Sequence, residues 1–136
     1  MKMYFAVPRV REEFEPMNNI KFNYLYRDGS NYKKWADVVF PNPHHLPLDV
    51  ASDAIRNVLW AEDLFVAHQI RVPEVFLFAK GDISSDDHCF HEFYGVELSD
   101  QSPNDKYGRT ANEFIAEIAR EAKCGWRVFD PLDRMP

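Results

Sequence analysis

Between Asp86 and Glu92 the chain reads Asp-Asp-His-Cys-Phe-His-Glu, a run that holds every common type of metal ligand. What it can do depends on the backbone beneath it. On a helix, His88, His91 and Glu92 would share a face and could hold a divalent cation. On a strand, His88 and Glu92 fall on one side and His91 on the other. The residues that follow, with Phe93, Tyr94, Val96 and Leu98, predict a strand from His88 to Leu98, and Gly95 marks a bulge or a close approach in it. The run also lacks the His-Glu-x-x-His order of the zinc proteases, and no spacing rule ties His44 or His45 to it. No cofactor is therefore expected; a divalent metal on Asp86, His88, His91 and Glu92 is the alternative. Adjacent strand residues diverge, so His91 and Glu92 do not make an acid–base pair. Cys89 has two histidines nearby but no legible oxyanion hole, and a cysteine in an aromatic strand reads as packing. No catalytic residue is assigned.

A second set of residues suits recognition rather than reaction. Arg27 and the run Tyr32-Lys33-Lys34-Trp35 flank the turn Asp28-Gly29-Ser30-Asn31. Aromatic and arginine side chains dominate binding hot spots. The bland alternative is that Tyr32 and Trp35 fold back onto the core. Lysines beside aromatics could also hold a nucleic-acid strand. The net charge of −6 argues against that, and against an anionic membrane surface. The five glycines are scattered, so neither a dinucleotide fingerprint nor a phosphate loop is present. The expected function is a non-catalytic interaction domain whose partner is a protein or a second copy of the chain. The alternative is a small metal-dependent or His-assisted enzyme centred on Asp86, Asp87, His88, His91 and Glu92.

These residues need elements to position them. Ile20, Phe22, Tyr24 and Tyr26 alternate with Lys21, Asn23 and Arg27, which predicts a strand over 20–27 with one wet face and Leu25 as the exception. A second strand over 36–40 completes a hairpin with a long loop from Asp28 to Trp35. Leu48, Ala51, Ile55, Val58 and Leu59 predict a helix from Leu48 to Trp60 with Asp49 as N-cap. Further short strands are expected at Tyr4–Val7, Val75–Phe78 and Trp126–Phe129; over 63–70 either a continued helix or a strand fits, with a strand near Leu64–Ala67 favoured. Thr110 and Glu113 form a capping box for a helix carrying Phe114, Ile115, Ile118, Ala119 and Ala122 on its buried stripe, with Gly125 as its stop.

Strands in runs, rather than in strict alternation with helices, point to an α+β fold. The expectation is a mainly antiparallel sheet of about five or six strands with two helices on one face. At 136 residues the chain fits one domain, with an N-terminal strand and arm over 1–19 and a loose tail over 130–136. No run of about 18 apolar residues is present to span a membrane, and the first residues are too short for a signal-peptide core. Two cysteines allow at most one bridge, so a reduced, cytoplasmic protein is the expectation. The stretch Tyr24-Leu25-Tyr26-Arg27-Asp28-Gly29-Ser30-Asn31-Tyr32-Lys33, together with His91-Glu92-Phe93, resembles small bacterial proteins of no assigned activity. The resemblance implies no site.

Overall fold

The alternation along the first hairpin becomes a buried face. A computed structural model describes residues 18–78 and 82–134. Within it, β1 (Asn19–Arg27) pairs antiparallel with β2 (Lys33–Phe40). Ile20, Phe22, Tyr24 and Tyr26 are all buried, as period two requires of one face. The hairpin loop is shorter than expected. Asp28 Oδ1 accepts hydrogen bonds from the N–H groups of Ser30 and Tyr32, at 2.9 Å each. That side chain closes the turn locally. Lys33 to Trp35 therefore join the strand instead of decorating a loop. Asn31 takes the positive φ, 72°. Gly29 serves close approach instead, because a Cβ there would lie 3.1 Å from Asp86 Oδ1.

β1 is flanked on its other side by β4 (His91–Ser99), and the short β3 (Leu64–Phe65) extends the sheet beyond β4. The order is β2-β1-β4-β3, all antiparallel, and the sheet curls into a half-barrel. The register slips beside Tyr94, next to Gly95, as expected of a bulge.

Among the described residues the sheet has four strands, and the expected five or six are not found there. Val75–Phe78 is not one of them: the Val75 N–H donates to the His91 side chain at 2.9 Å, and Phe76 packs edge-on against Tyr26. Trp126–Phe129 is not a strand either, since the Arg127 N–H donates to the Gln69 side chain. In both places a side chain satisfies a backbone group that a ladder would otherwise take. β4 begins at His91 rather than His88, because the N–H groups of His88 and Phe90 go to Tyr26 Oη and His88 Nδ1. The segment after Phe65 turns into a 3-10 helix over Ala67–Ile70. The expected strand at Tyr4–Val7, and the arm up to residue 17, lie outside the described residues. Within the described part of the tail, Pro131–Arg134 form a 3-10 turn, and Arg134 stacks on Phe129.

α1 (Leu48–Arg56) is shorter than its apolar stripe. Its N-cap is Pro47 and makes no side-chain cap bond, while Asp49 lies in the first turn. Beyond it the chain reverses through Ala61 and Glu62, both at positive φ. α2 (Ala111–Cys124) has the capping box: Glu113 N–H donates to Thr110 Oγ1, and Thr110 N–H to Glu113 Oε1. Phe114 meets Phe22 edge-on at 4.9 Å between ring centres and stacks on Phe40 at 4.2 Å. Ala51 and Ile55 of α1 join the same core, so both helices pack on the Phe22 face. Among the described residues no helix is long and apolar enough to cross a membrane.

Candidate binding sites

The aromatic residues flagged near the hairpin do not fold back onto the core. Tyr32 is 69% exposed and Trp35 53%. Trp35 lies directly opposite Leu25, on the face away from Phe22. Its ring meets Tyr94 edge-on at 4.9 Å, and Tyr94 is itself 62% exposed. Tyr94 is the extra residue of the bulge, without a partner on β1, between the inward-facing Phe93 and Gly95. Leu25, the break in the alternation, is fully buried on this outer face. Lys33 and Lys34 are exposed beside Trp35. Arg27 is committed elsewhere: its Nε and Nη2 donate to both carboxylate oxygens of Glu92, at 3.0 and 3.1 Å.

β2 is also an edge. In an antiparallel strand the N–H and C=O of one residue point to the same side, and neighbours alternate. Both backbone groups of Val39 bond Asn104, outside the sheet. Those of Lys33, Trp35 and Asp37 therefore face the same outer edge, and among the described residues nothing pairs with them there.

The polar run is spent on holding loops together. Asp86 accepts from the Ser30 hydroxyl and, through its carbonyl, from the Gly29 N–H. Asp87 accepts from Tyr26 Oη at 2.7 Å and from the Ser84 N–H. His88 has both ring nitrogens engaged: Nδ1 accepts from the Phe90 N–H, so Nε2 carries the proton and donates to Arg27 O at 2.7 Å. His91 points the other way, into the core, among Tyr24, Tyr26, Phe65 and Phe76. Burial, and then the electrostatic influence of His88, push its pKa down to about 3. His88, His91 and Glu92 do border one shallow cavity of about 280 Å³. Among the described residues no three potential ligands are grouped to hold a metal ion. Cys89 is buried, with its thiol pKa raised by that burial, and both cysteines are free.

A third site had no sequence motif. Arg109 is buried and bonds Asp105, Glu117 and the carbonyls of Ile70 and Arg71. Arg71 adds a two-pronged pair to Glu117, at 2.8 and 2.6 Å. Hydrogen bonds from Arg71, against the opposing effect of burial, hold the Glu117 carboxyl below its ordinary range. Asp105 is also held low: burial opposes this, but the Arg109 bonds prevail. Arg71 sits in the left-handed region at φ 61° and lays its guanidinium over Tyr107 at 4.3 Å. Above this network opens a cavity of about 410 Å³ between the end of β2 and the loop 104–107. The legible hint was Glu117 itself, three residues from Phe114 and so on the flank of the apolar stripe.

No protein-family model, curated protein or solved structure matches the chain.

Proposed function

We propose that the protein is a non-catalytic interaction module that accepts an extended, acidic protein segment along the outer edge of β2. The observation that carries this reading is the coincidence of two features on one strand. Lys33, Trp35 and Asp37 turn outward backbone groups that pair with nothing among the described residues, and the exposed Trp35–Tyr94 pair stands beside them. An added strand would gain its main-chain hydrogen bonds from that edge. The rings would anchor its side chains, and Lys33 and Lys34 would favour carboxylates on it. Strand addition needs a peptide backbone, which favours a protein over a nucleic acid.

The test is amide hydrogen exchange on the purified protein with and without a co-purified partner. The partner should slow exchange at Lys33, Trp35 and Asp37 specifically. Changing Trp35 and Tyr94 together to Ala should abolish the complex while leaving the melting temperature within a few degrees, because both rings are exposed. A complex that leaves these three amides unprotected would overturn the reading. So would one that survives the double change, or one that oligonucleotide displaces with a steep dependence on salt. Protection that appears only with rising protein concentration would replace the foreign partner with a second copy.

A further inference from the structure

Among the described residues the open part of the β2 edge runs from Lys33 to Asp37, with Trp35 at its middle. At one end Asp28 Oδ1 takes the Tyr32 N–H and closes the turn, so the strand starts at Lys33. At the other end Asn104 occupies both backbone groups of Val39, accepting from its N–H at 2.8 Å and donating to its carbonyl at 3.0 Å. Lys33, Trp35 and Asp37 also share one face of the strand, by period two, and all three are exposed. Their charges are not answered within the sheet. Lys33 lies opposite another cation, Arg27, and Asp37 lies opposite the neutral Asn23. Neither has an ion-pair partner among the described residues.

A cation two places before Trp35 and an anion two places after it make this edge complementary to itself. In an antiparallel pairing centred on Trp35, that residue lies opposite Trp35 of a second copy, Lys33 opposite its Asp37, and Asp37 opposite its Lys33. Each of these outward-facing pairs exchanges two backbone hydrogen bonds. Opposite charges directly across from one another stabilise such a pairing, and like charges weaken it. The register is also the one that fits the open length. Centred on Lys33, the pairing would set two lysines opposite and run Trp35 into the turn at Asn31. Centred on Asp37, it would set two aspartates opposite and run Trp35 into Val39, which Asn104 already holds.

We infer that two copies of the chain cap one another along β2, in antiparallel register about Trp35, as the resting form of the strand-docking edge. The contact is two-fold symmetric, so it closes on itself as a dimer and leaves no further copy of the edge open. An uncovered edge invites indiscriminate pairing, and the symmetric contact removes that hazard. Such pairing rests on the strand-edge reading proposed above and adds its regulation: a foreign segment binds only the separated chains, so docking and self-pairing compete.

The experiment is sedimentation equilibrium of the full chain between roughly 1 μM and 1 mM. The parent should show a reversible monomer–dimer equilibrium in that range, as expected of a small interface. Lys33→Glu sets two carboxylates opposite one another at both ends of the pairing, and Asp37→Lys sets two ammonium groups there. Each variant alone should dimerise about tenfold more weakly or worse. An equimolar mixture of the two should recover the parent's affinity, because each variant then faces its opposite charge. Both changes fall at exposed positions and should retain the native melting transition, which separates lost pairing from lost folding. A parent that stays monomeric throughout would overturn the inference. So would a dimer indifferent to both changes, or a mixture that associates no more tightly than its components. Absent self-pairing with the partner still protecting the Lys33, Trp35 and Asp37 amides sinks the dimer alone. Self-pairing that obeys the charge pattern, with no protection by the partner, sinks the foreign segment alone.

Discussion

Glu117 occupies a place on α2 where an apolar side chain would ordinarily go, and it is buried there because two guanidinium groups come to meet it. Removing one member of a buried charge set strands the others in low dielectric. Glu117→Gln should therefore cost about 3–5 kcal/mol. A lowered urea midpoint with an unchanged slope would register it. The comparison is Glu121→Gln, whose partner Arg127 is largely exposed; that change should cost under about 1 kcal/mol. Equal losses in the two variants would show that Glu117 is not the centre of a buried network. At this scale the sequence was informative about residue types, and the structure adds their partners. His88, Asp86 and Asp87 are of metal-ligand type, and each bonds a backbone or hydroxyl group that a loop would otherwise leave unsatisfied. Arg109 carries no local signal, because nothing in its neighbours reveals that the carbonyls of Ile70 and Arg71 converge on it.

Where an element's determinants are local, expectation and structure agree. The capping box of α2 involves residues three apart, so Thr110 and Glu113 announce it without help from the rest of the fold. Thr110→Ala should lower stability by about 1 kcal/mol, read as a fall of several degrees in melting temperature, with helix content otherwise native. No fall would mean that the helix start is held by tertiary packing instead. Elements without local determinants were misread. Val75–Phe78 is a run of four apolar residues, and periodicity cannot separate a strand from a packed loop at that length. The buried His91 ring decides the matter by taking the Val75 N–H. The stripe on α2 also runs differently from expectation, with Ala119 exposed and Glu117 buried, because the Arg109 network pulls the helix onto that flank.

Across the molecule, these groups set how stability responds to acid. His91 titrates near 6.5 when unfolded but at about 3 when folded. Its contribution is complete above the unfolded value. It is lost as pH falls from there toward the folded value, because the unfolded chain binds a proton that the core excludes. Asp105 and Glu117, both held below their ordinary values, add a second loss that begins lower, in the carboxylate range. Urea midpoints measured against pH should show a plateau at neutral pH and above. A first decline should begin below about pH 6.5, at most ~1.4 kcal/mol per pH unit from His91, with His68, whose pKa burial also lowers, adding to it. A steeper one should follow below about pH 4.5. His91→Phe should lower the plateau, since the Val75 N–H loses its acceptor, but should flatten the first decline and leave the second. An unchanged first decline in that variant would assign it to another group.

What the sequence by itself determined is everything carried by neighbours along the chain. That includes the α+β class, the alternating β1, the capped α2, and an irregularity at Gly95. Leu25 even marked, as a break in the pattern, that the outer face of the sheet is not wholly wet. The tertiary structure alone decided the strand number, the burial of Arg109 and Glu117, the direction in which His91 points, and the cavity above Arg71. Each depends on groups far apart in the chain, such as His91 with Val75 or Arg109 with Ile70. The free energy of a buried polar group is set by the partner that reaches it, and sequence spacing carries no record of that partner.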